Sequence, residues 1–413
     1  MFIQIGTLIA ATSLIQLANG FFGTFVALRV AVDVPDAGLS GLVLSAYFAG
    51  FTVGAVRCGG IVSRIGHIRG YAAFAGLVVA ATAAMPLLDW PWAWMLLRAL
   101  IGFGCAGIFM TAESWLNAKA EPAARGRIFS FYMVGTFLAL ALGQLLIGRL
   151  PLATDMPFGL IVVLFAAALV MVSTTRAEPP ATSEAAHLPY GELTRAAPVA
   201  VVGCVLSGMI TSVFYALIPA WMQGEGIAQE TIALVMLAAV LGGLAFQIPV
   251  GRVSDRFDRR MVLAGLGLFL AAMTTALVLL PQRLAILLPP AFLLGGAMST
   301  LYPVAVAHAH DRMPTDRVVA VSARLILVSG IGSVIGPLAG SGIMARFGID
   351  GVLWFMGGVA LMLALFAGTR AATSRPPEHA ERPFEILAPT AGAIAHDPEE
   401  AADDMAKVEE ATP

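Results

Sequence analysis

Charged side chains are scarce in the long apolar stretches of this 413-residue chain, and the few that occur there call for a chemical explanation. Arg98 and Glu113 share one such stretch, and Arg324 lies in another. An ionisable group at bilayer depth costs several kcal/mol unless it is paired or watered, so each one marks a solute path, a proton relay or an ion pair. A carboxylate facing a cavity that closes has its pKa raised by desolvation, and so it can take up and release protons. Glu113 suits that work, or else a structural pair with Arg125 or Arg127. Arg324 suits an anionic or carbonyl-bearing solute, or a pairing with Glu113. Arg57 lies one turn from the end of its stretch and can snorkel to the interface. A milder polar set comprises Gln16, Asn19, Tyr47, Gln144, Tyr215, Gln247 and Tyr302. Each of these either lines a path or bonds a neighbouring helix.

Elsewhere charge is crowded. GRVSDRFDRR, residues 251–260, carries six charges in ten positions, and a fainter copy, GGIVSRIGHIR, occupies residues 59–69. At an offset of 192, Gly59 matches Gly251 and Arg64 matches Arg256. A second echo pairs Gly143 and Gln144 of ALALGQLLIG with Gly336 and Pro337 of GSVIGPLAG. The chain therefore reads as a duplicated unit.

The elements that must position these groups are membrane spans. The chain is 59% hydrophobic and 12% charged, with a mean hydropathy of +0.86, whereas soluble domains are about a quarter charged. Apolar runs of about 20 residues, the length that crosses a bilayer as a helix, recur throughout. They predict spans at 6–28, 40–61, 70–88, 92–117, 127–149 and 155–173, then at 198–221, 229–251, 260–280, 284–308, 317–344 and 350–369. The expected fold is all-α, with twelve transmembrane helices in two pseudo-symmetric bundles, 1–173 and 198–370. A polar, Pro-rich linker at 174–197 joins them, and an acidic tail from 371 is expected to be disordered. The first apolar run lacks a basic leader and is too long for a signal peptide, so it reads as a span.

Orientation follows from the basic residues. With both termini in the cytoplasm, the inner loops hold Arg64, Arg69, Lys119, Arg125, Arg127, Arg176, Arg195, Arg252, Arg256, Arg259, Arg260, Arg312 and Arg317. The outer loops hold only Arg29, Arg149, Arg283 and Arg346, which is a positive-inside bias. Trp90, Trp92 and Trp94 fall at an outer joint, where interfacial indoles are expected. The location implied is a bacterial inner membrane.

GRVSDRFDRR resembles the loop motif Gly-x-x-x-Asp-Arg-x-Gly-Arg-Arg of the major facilitator superfamily. Gly251, Asp255, Arg256, Arg259 and Arg260 match it, and Asp258 takes the place of the second glycine. In the first copy Gly59, Arg64 and Gly66 match, Ser63 replaces the acid, His67 and Ile68 replace the paired arginines, and Arg69 lies one position beyond. Arg98 with Gly102 and Gly104 is similar to the superfamily's helix-four motif. SAYFAGFTVG (45–54), Glu113-Ser114, GQLL (143–146) and TLYPVA (300–305) resemble the YcaD-type bacterial branch.

The resemblance implies a carrier with its site between the halves. Spans one, four, seven and ten would line that site, which ranks Asn19, Glu113, Tyr215 and Tyr302 first. The charged loops would act as ionic gates on the inner face, worth about 1–3 kcal/mol per partly desolvated pair, enough to bias two states without freezing them. Related carriers of similar build take up riboflavin or expel drugs.

Nucleotide-binding glycine loops, HExxH and cysteine clusters are missing from the sequence, so no enzyme activity, cofactor or metal is expected. Cys58, Cys105 and Cys204 read as small packing residues. The expected function is secondary transport, with uptake of a metabolite or vitamin, riboflavin-like included, coupled to protons. Efflux of drugs or metabolites is the alternative, although the fifth span lacks the Gly-Pro pair of drug antiporters. A channel or sensor on the same scaffold is the different-class reading. The expected partners are a small solute, protons and lipid, with no nucleic acid, and the chain is expected to be a monomer.

Overall fold

A computed structural model describes residues 2–119, 122–174, 190–314 and 317–373. The described residues form thirteen α-helices and one short 3-10 turn. In the first half these are α1 (Phe2–Asp33), α2 (Ala37–Ile65), α3 (His67–Ala84), α4 (Pro91–Lys119), α5 (Pro122–Leu145) and α6 (Met156–Ser173). A seven-residue helix, α7 (Tyr190–Ala196), lies in the linker. The second half holds α8 (Pro198–Gly224), α9 (Gln229–Arg256), α10 (Arg259–Leu279), α11 (Leu284–His310), α12 (Val318–Phe347) and α13 (Gly351–Thr373). All but α7, twelve in number, are long and apolar enough to cross a membrane.

The two halves repeat one pattern of packing. In the first, α2 lies on α4, α1 on α5 and α6, and α3 on α4 and α6. In the second, α9 lies on α11, α8 on α12 and α13, and α10 on α11 and α13. Matched glycines explain the tightest crossings. A Cβ on Gly50 would strike the Ala99 carbonyl, and one on Gly102 the Tyr47 carbonyl; in the second half Gly242 meets Phe292 and Gly295 meets Ala239 in the same way. Only a residue without a side chain lets the backbones come this close.

The same contacts correct one part of the repeat. Gly143 abuts the Leu17 carbonyl on α1, and the residue that abuts the equivalent Val205 carbonyl on α8 is Gly332. The structural counterpart of Gly143 is therefore Gly332, one helical turn before Gly336. The motif GSVIGPLAG offers two glycines four apart, and the sequence alignment takes the wrong one.

Further details differ from expectation. The expected span 127–149 ends as a helix at Leu145, and residues 146–149 turn. Trp90 and Trp92 are exposed, but Trp94 is buried. Its indole donates to the Met85 and Leu88 carbonyls at 3.0 and 2.8 Å, closing the end of α3. The linker contains α7, which the polar composition of 174–197 did not suggest. The expected disordered tail lies outside the described residues from 374 onward, as do Arg176 and the first part of the linker.

The halves meet through α1 and α2 against α8 and α12, and through α5 against α9. Gly41 packs on Ser341 and Pro337, Gly148 on Glu230, and Gly330 on Thr52. Gln229 donates to the carbonyls of Ile147 and Leu150 across the same seam. All these contacts lie between mid-depth and the end of the molecule opposite the charged loops.

A central cavity and a charged corner

Between the halves lies a cavity of about 200 Å³. Its wall draws on α1, α2, α4 and α5 of the first half and on α8, α11 and α12 of the second. Of the residues singled out from sequence, Gln16, Asn19, Tyr47, Gln144, Tyr215 and Tyr302 line it, as does Arg98. Glu113, Arg324 and Gln247 do not. Helical phase accounts for this: Ile326, Ser329, Gly330 and Ser333 give the cavity-facing stripe of α12, and Arg324 falls off that stripe.

Glu113 is 2% exposed and sits inside the first bundle, where the Tyr132 hydroxyl approaches its Oε1 at 3.4 Å. Gln247 is buried on α9, with its amide 3.4 Å from the Ser299 carbonyl. Gln144 reaches the wall but is committed to packing. Its Oε1 accepts from Thr24 at 2.7 Å and its Nε2 donates to the Gly20 carbonyl at 2.9 Å, which clips α5 to α1. Asn19 is held loosely, 3.4 Å from both Gln16 Oε1 and the Tyr47 hydroxyl.

Arg98 is the residue whose role the sequence understated. It appeared there as a deep charge within a helix motif, yet it is the one formally charged residue on the cavity wall among the described residues and is 5% exposed. Its guanidinium carbon lies 4.7 Å from the Tyr47 ring centroid and 5.5 Å from that of Phe22. Its Nε has no hydrogen-bond acceptor among the described residues. Such cation–π contacts contribute about 0.5–2 kcal/mol, less than the several kcal/mol lost in taking a cation out of water. The signal in the sequence was the depth of Arg98; what could not be read there was its facing.

The second constellation is the charged corner of the second half, where α9, α10, α11 and α13 end together. Arg259 Nε stands 3.2 Å from Asp311 Oδ2, with both side chains nearly inaccessible, and its Nη2 reaches Asp255 at 3.4 Å. Asp258 caps α10 by accepting from the Arg260 amide at 2.9 Å. Asp258 also takes the Arg260 guanidinium at 2.6 Å, while Arg260 Nη1 donates to the Arg370 carbonyl at 3.0 Å. This explains why Asp stands where the motif has glycine: it serves as helix cap and counter-ion at once. Burial works to raise the Asp258 pKa, but the Arg260 hydrogen bonds and charge outweigh it and hold it below the ordinary carboxylate value.

The partners named above belong to one half, and these contacts tie helix ends within the second bundle; the loop residues were expected to latch the two halves together. In the first half Gly66, at φ +85°, makes the turn, and buried His67 faces Ser114 at 3.0 Å. Arg64, Arg69 and Arg256 are exposed, Gly251 is buried, and Gly59 is half-buried. His308, in the last turn of α11, is buried.

The comparisons with known proteins agree with this architecture. The model of the Major Facilitator Superfamily matches residues 8–227 and 200–399. The MFS-type transporter YcaD of Shigella flexneri is 31% identical over 358 residues, covering 84% of this chain and 91% of its own length. Its counterpart in Escherichia fergusonii is 30% identical over 383 residues, 90% and 97% of the two chains. Among solved structures, the nucleoside transporter NupG superposes with a TM-score of 0.72 at 12% identity, covering 90% of this chain and all of that one. A POT family peptide transporter gives 0.71 at 14%, over 93% and 99%. A D-xylose-proton symporter gives 0.65 at 16%, over 88% and 97%.

Proposed function

The chain belongs to the major facilitator superfamily, and from that membership and the cavity we propose that it is a secondary transporter moving a small organic solute by alternating access. The observation that carries this reading is a largely apolar cavity with a few polar groups at mid-depth, built from both halves of a pseudo-symmetric pair of bundles. Two bodies joined at one end only can rock about a shared site and so expose it to either side in turn. The seal at the end away from the charged loops makes this the state open toward those loops. The excess of basic residues on the loop end supports a reading with that end and both termini in the cytoplasm, in a bacterial inner membrane.

Uptake of a metabolite is the direction we assign. The cavity is smaller than the 300–1,000 Å³ or so of drug-sized sites, which favours a compact solute, and a flavin would require it to widen. Proton coupling is assigned to Glu113, the carboxylate set deepest in the spans, buried between α4 and α5 off the solute path. The partners are the solute, protons and the bilayer, with the chain acting as a monomer.

Reconstituted vesicles provide the test. A carrier gives saturable uptake and accelerated exchange when the opposite side is preloaded, and a channel gives neither. Collapse of the proton gradient must abolish accumulation but not exchange, and Glu113→Gln must reproduce that effect. Accumulation that survives Glu113→Gln removes this residue from coupling, and flux against the assigned direction makes the protein an exporter.

A further inference from the structure

We infer that the cavity takes an organic anion, with its carboxylate or equivalent oxyanion held by Arg98 and its flat body laid against the tyrosines. The inference rests on the carrier reading above and adds the substrate class. Among the described residues the cavity wall bears one formal charge, and it is positive. No carboxylate of the described wall neutralises it, and its Nε has no hydrogen-bond acceptor among the described residues. A buried cation on a cavity wall with no carboxylate beside it is an incomplete site, and an incoming carboxylate completes it through two parallel N–H···O bonds.

The surroundings set what is attached to that carboxylate. The ring of Tyr47 stacks beneath the guanidinium and fixes the plane of its donors. Tyr215 and Tyr302, on α8 and α11, line the cavity from the other half. They bring aromatic faces and hydroxyls toward the far end of a bound solute. A cavity of about 200 Å³ lies below the 300–1,000 Å³ or so of drug-sized sites, which suits a compact solute such as a single ring bearing one acid group. A solute bound in this way touches both bundles, so its occupancy bears on their relative position.

The test uses purified full-length protein and matched pairs of one-ring probes: benzoate with benzamide, nicotinate with nicotinamide, and 4-hydroxybenzoate with its amide. A bound ligand raises the unfolding midpoint. At least one acid, and not its amide, must stabilise the protein. Arg98→Met must abolish that shift, and Arg98→Lys, which keeps the charge but loses the fork, must weaken binding about 10- to 100-fold. If Arg98→Met does not fold, the Lys variant and the acid–amide contrast decide alone.

The inference is overturned if no acid shifts the midpoint, if amides shift it equally, or if the shift survives Arg98→Met. Exchange in vesicles separates the two levels of the argument. Saturable exchange of amides with none of acids refutes the anion site and leaves the carrier reading standing. Binding of acids without saturable exchange does the reverse.

Discussion

The buried pair Arg259–Asp311 offers a sharp test of the corner that holds four helix ends together. At 3.2 Å and an effective dielectric of about 20, Coulomb's law gives an attraction of about 5 kcal/mol. Asp255, 3.4 Å away on the other side, is more than a third exposed, and a solvated carboxylate of this kind replaces little of that, about 0–1 kcal/mol. Asp311→Asn keeps the shape, removes the charge beside a buried guanidinium and should cost about 3–5 kcal/mol. Arg259→Met removes the cation beside buried Asp311 instead. A carboxyl can take up a proton where a guanidinium cannot give one up, so its penalty should be large at neutral pH and shrink as the pH falls. The double variant removes both charges and should recover to within about 1 kcal/mol of the parent. Equilibrium unfolding in mixed micelles across pH 4 to about 8, read as a double-mutant cycle, measures all three. A loss below about 0.5 kcal/mol for Asp311→Asn, or a double variant worse than either single one, refutes the claim that this pair is held by burial and charge.

Three shorter predictions follow from other contacts. Gly242→Ala places a methyl group into the Phe292 carbonyl and should cost about 1–3 kcal/mol or more by overpacking. Gly265→Ala on the open face of α10 should be neutral or stabilising by up to about 1 kcal/mol, and thermal melts of the two compare them directly. Gln229→Ala removes the side chain that caps the loosened end of α5 from across the seam. Each lost bond is worth about 1 kcal/mol, so far-side labelling of a cysteine placed at Thr211 by an impermeant maleimide should rise several-fold. Asp258 has a lowered pKa, so its contribution is complete above the ordinary carboxylate value and is lost as the pH falls through the depressed one. Parent protein should lose stability over that acid window, and Asp258→Asn should show a flatter profile there.

Hydropathy and repeat made most of the fold legible. Runs of about 20 apolar residues located every span, and Gly59 with Gly251 located the repeat, because a bilayer permits few ways to satisfy a backbone. What sequence did not yield was rotation about each helix axis. Arg98, Glu113 and Arg324 all lie deep within apolar runs and look equivalent on that ground. Only packing sends Arg98 to the cavity, Glu113 toward Tyr132 and Arg324 off the lining stripe. Gln144 illustrates the same limit from the other side: it reaches the wall, yet Thr24 and Gly20 consume its hydrogen-bonding groups. The α7 helix was missed because a single turn or two carries too few residues for a periodic signal.

The two copies of the charged loop have diverged in a manner that assigns them different work. In the second copy the turn is capped by Asp258, and the next two arginines are neutralised in place by Asp311, Asp255 and Asp258 itself. In the first copy a glycine makes the turn, Ser63 stands in for the acid, and His67 meets a hydroxyl. The first corner is thus held by a neutral contact and the second by ion pairs that knit helix ends of its own bundle. Ionic strength should therefore loosen the second corner where it is solvated, at Asp255 and Asp258, and leave the first unaffected. Under the proposed rocking motion, a bundle whose corner is held by ion pairs would move against one whose corner is held by a neutral contact, with Arg98 on the latter and Tyr215 and Tyr302 on the former.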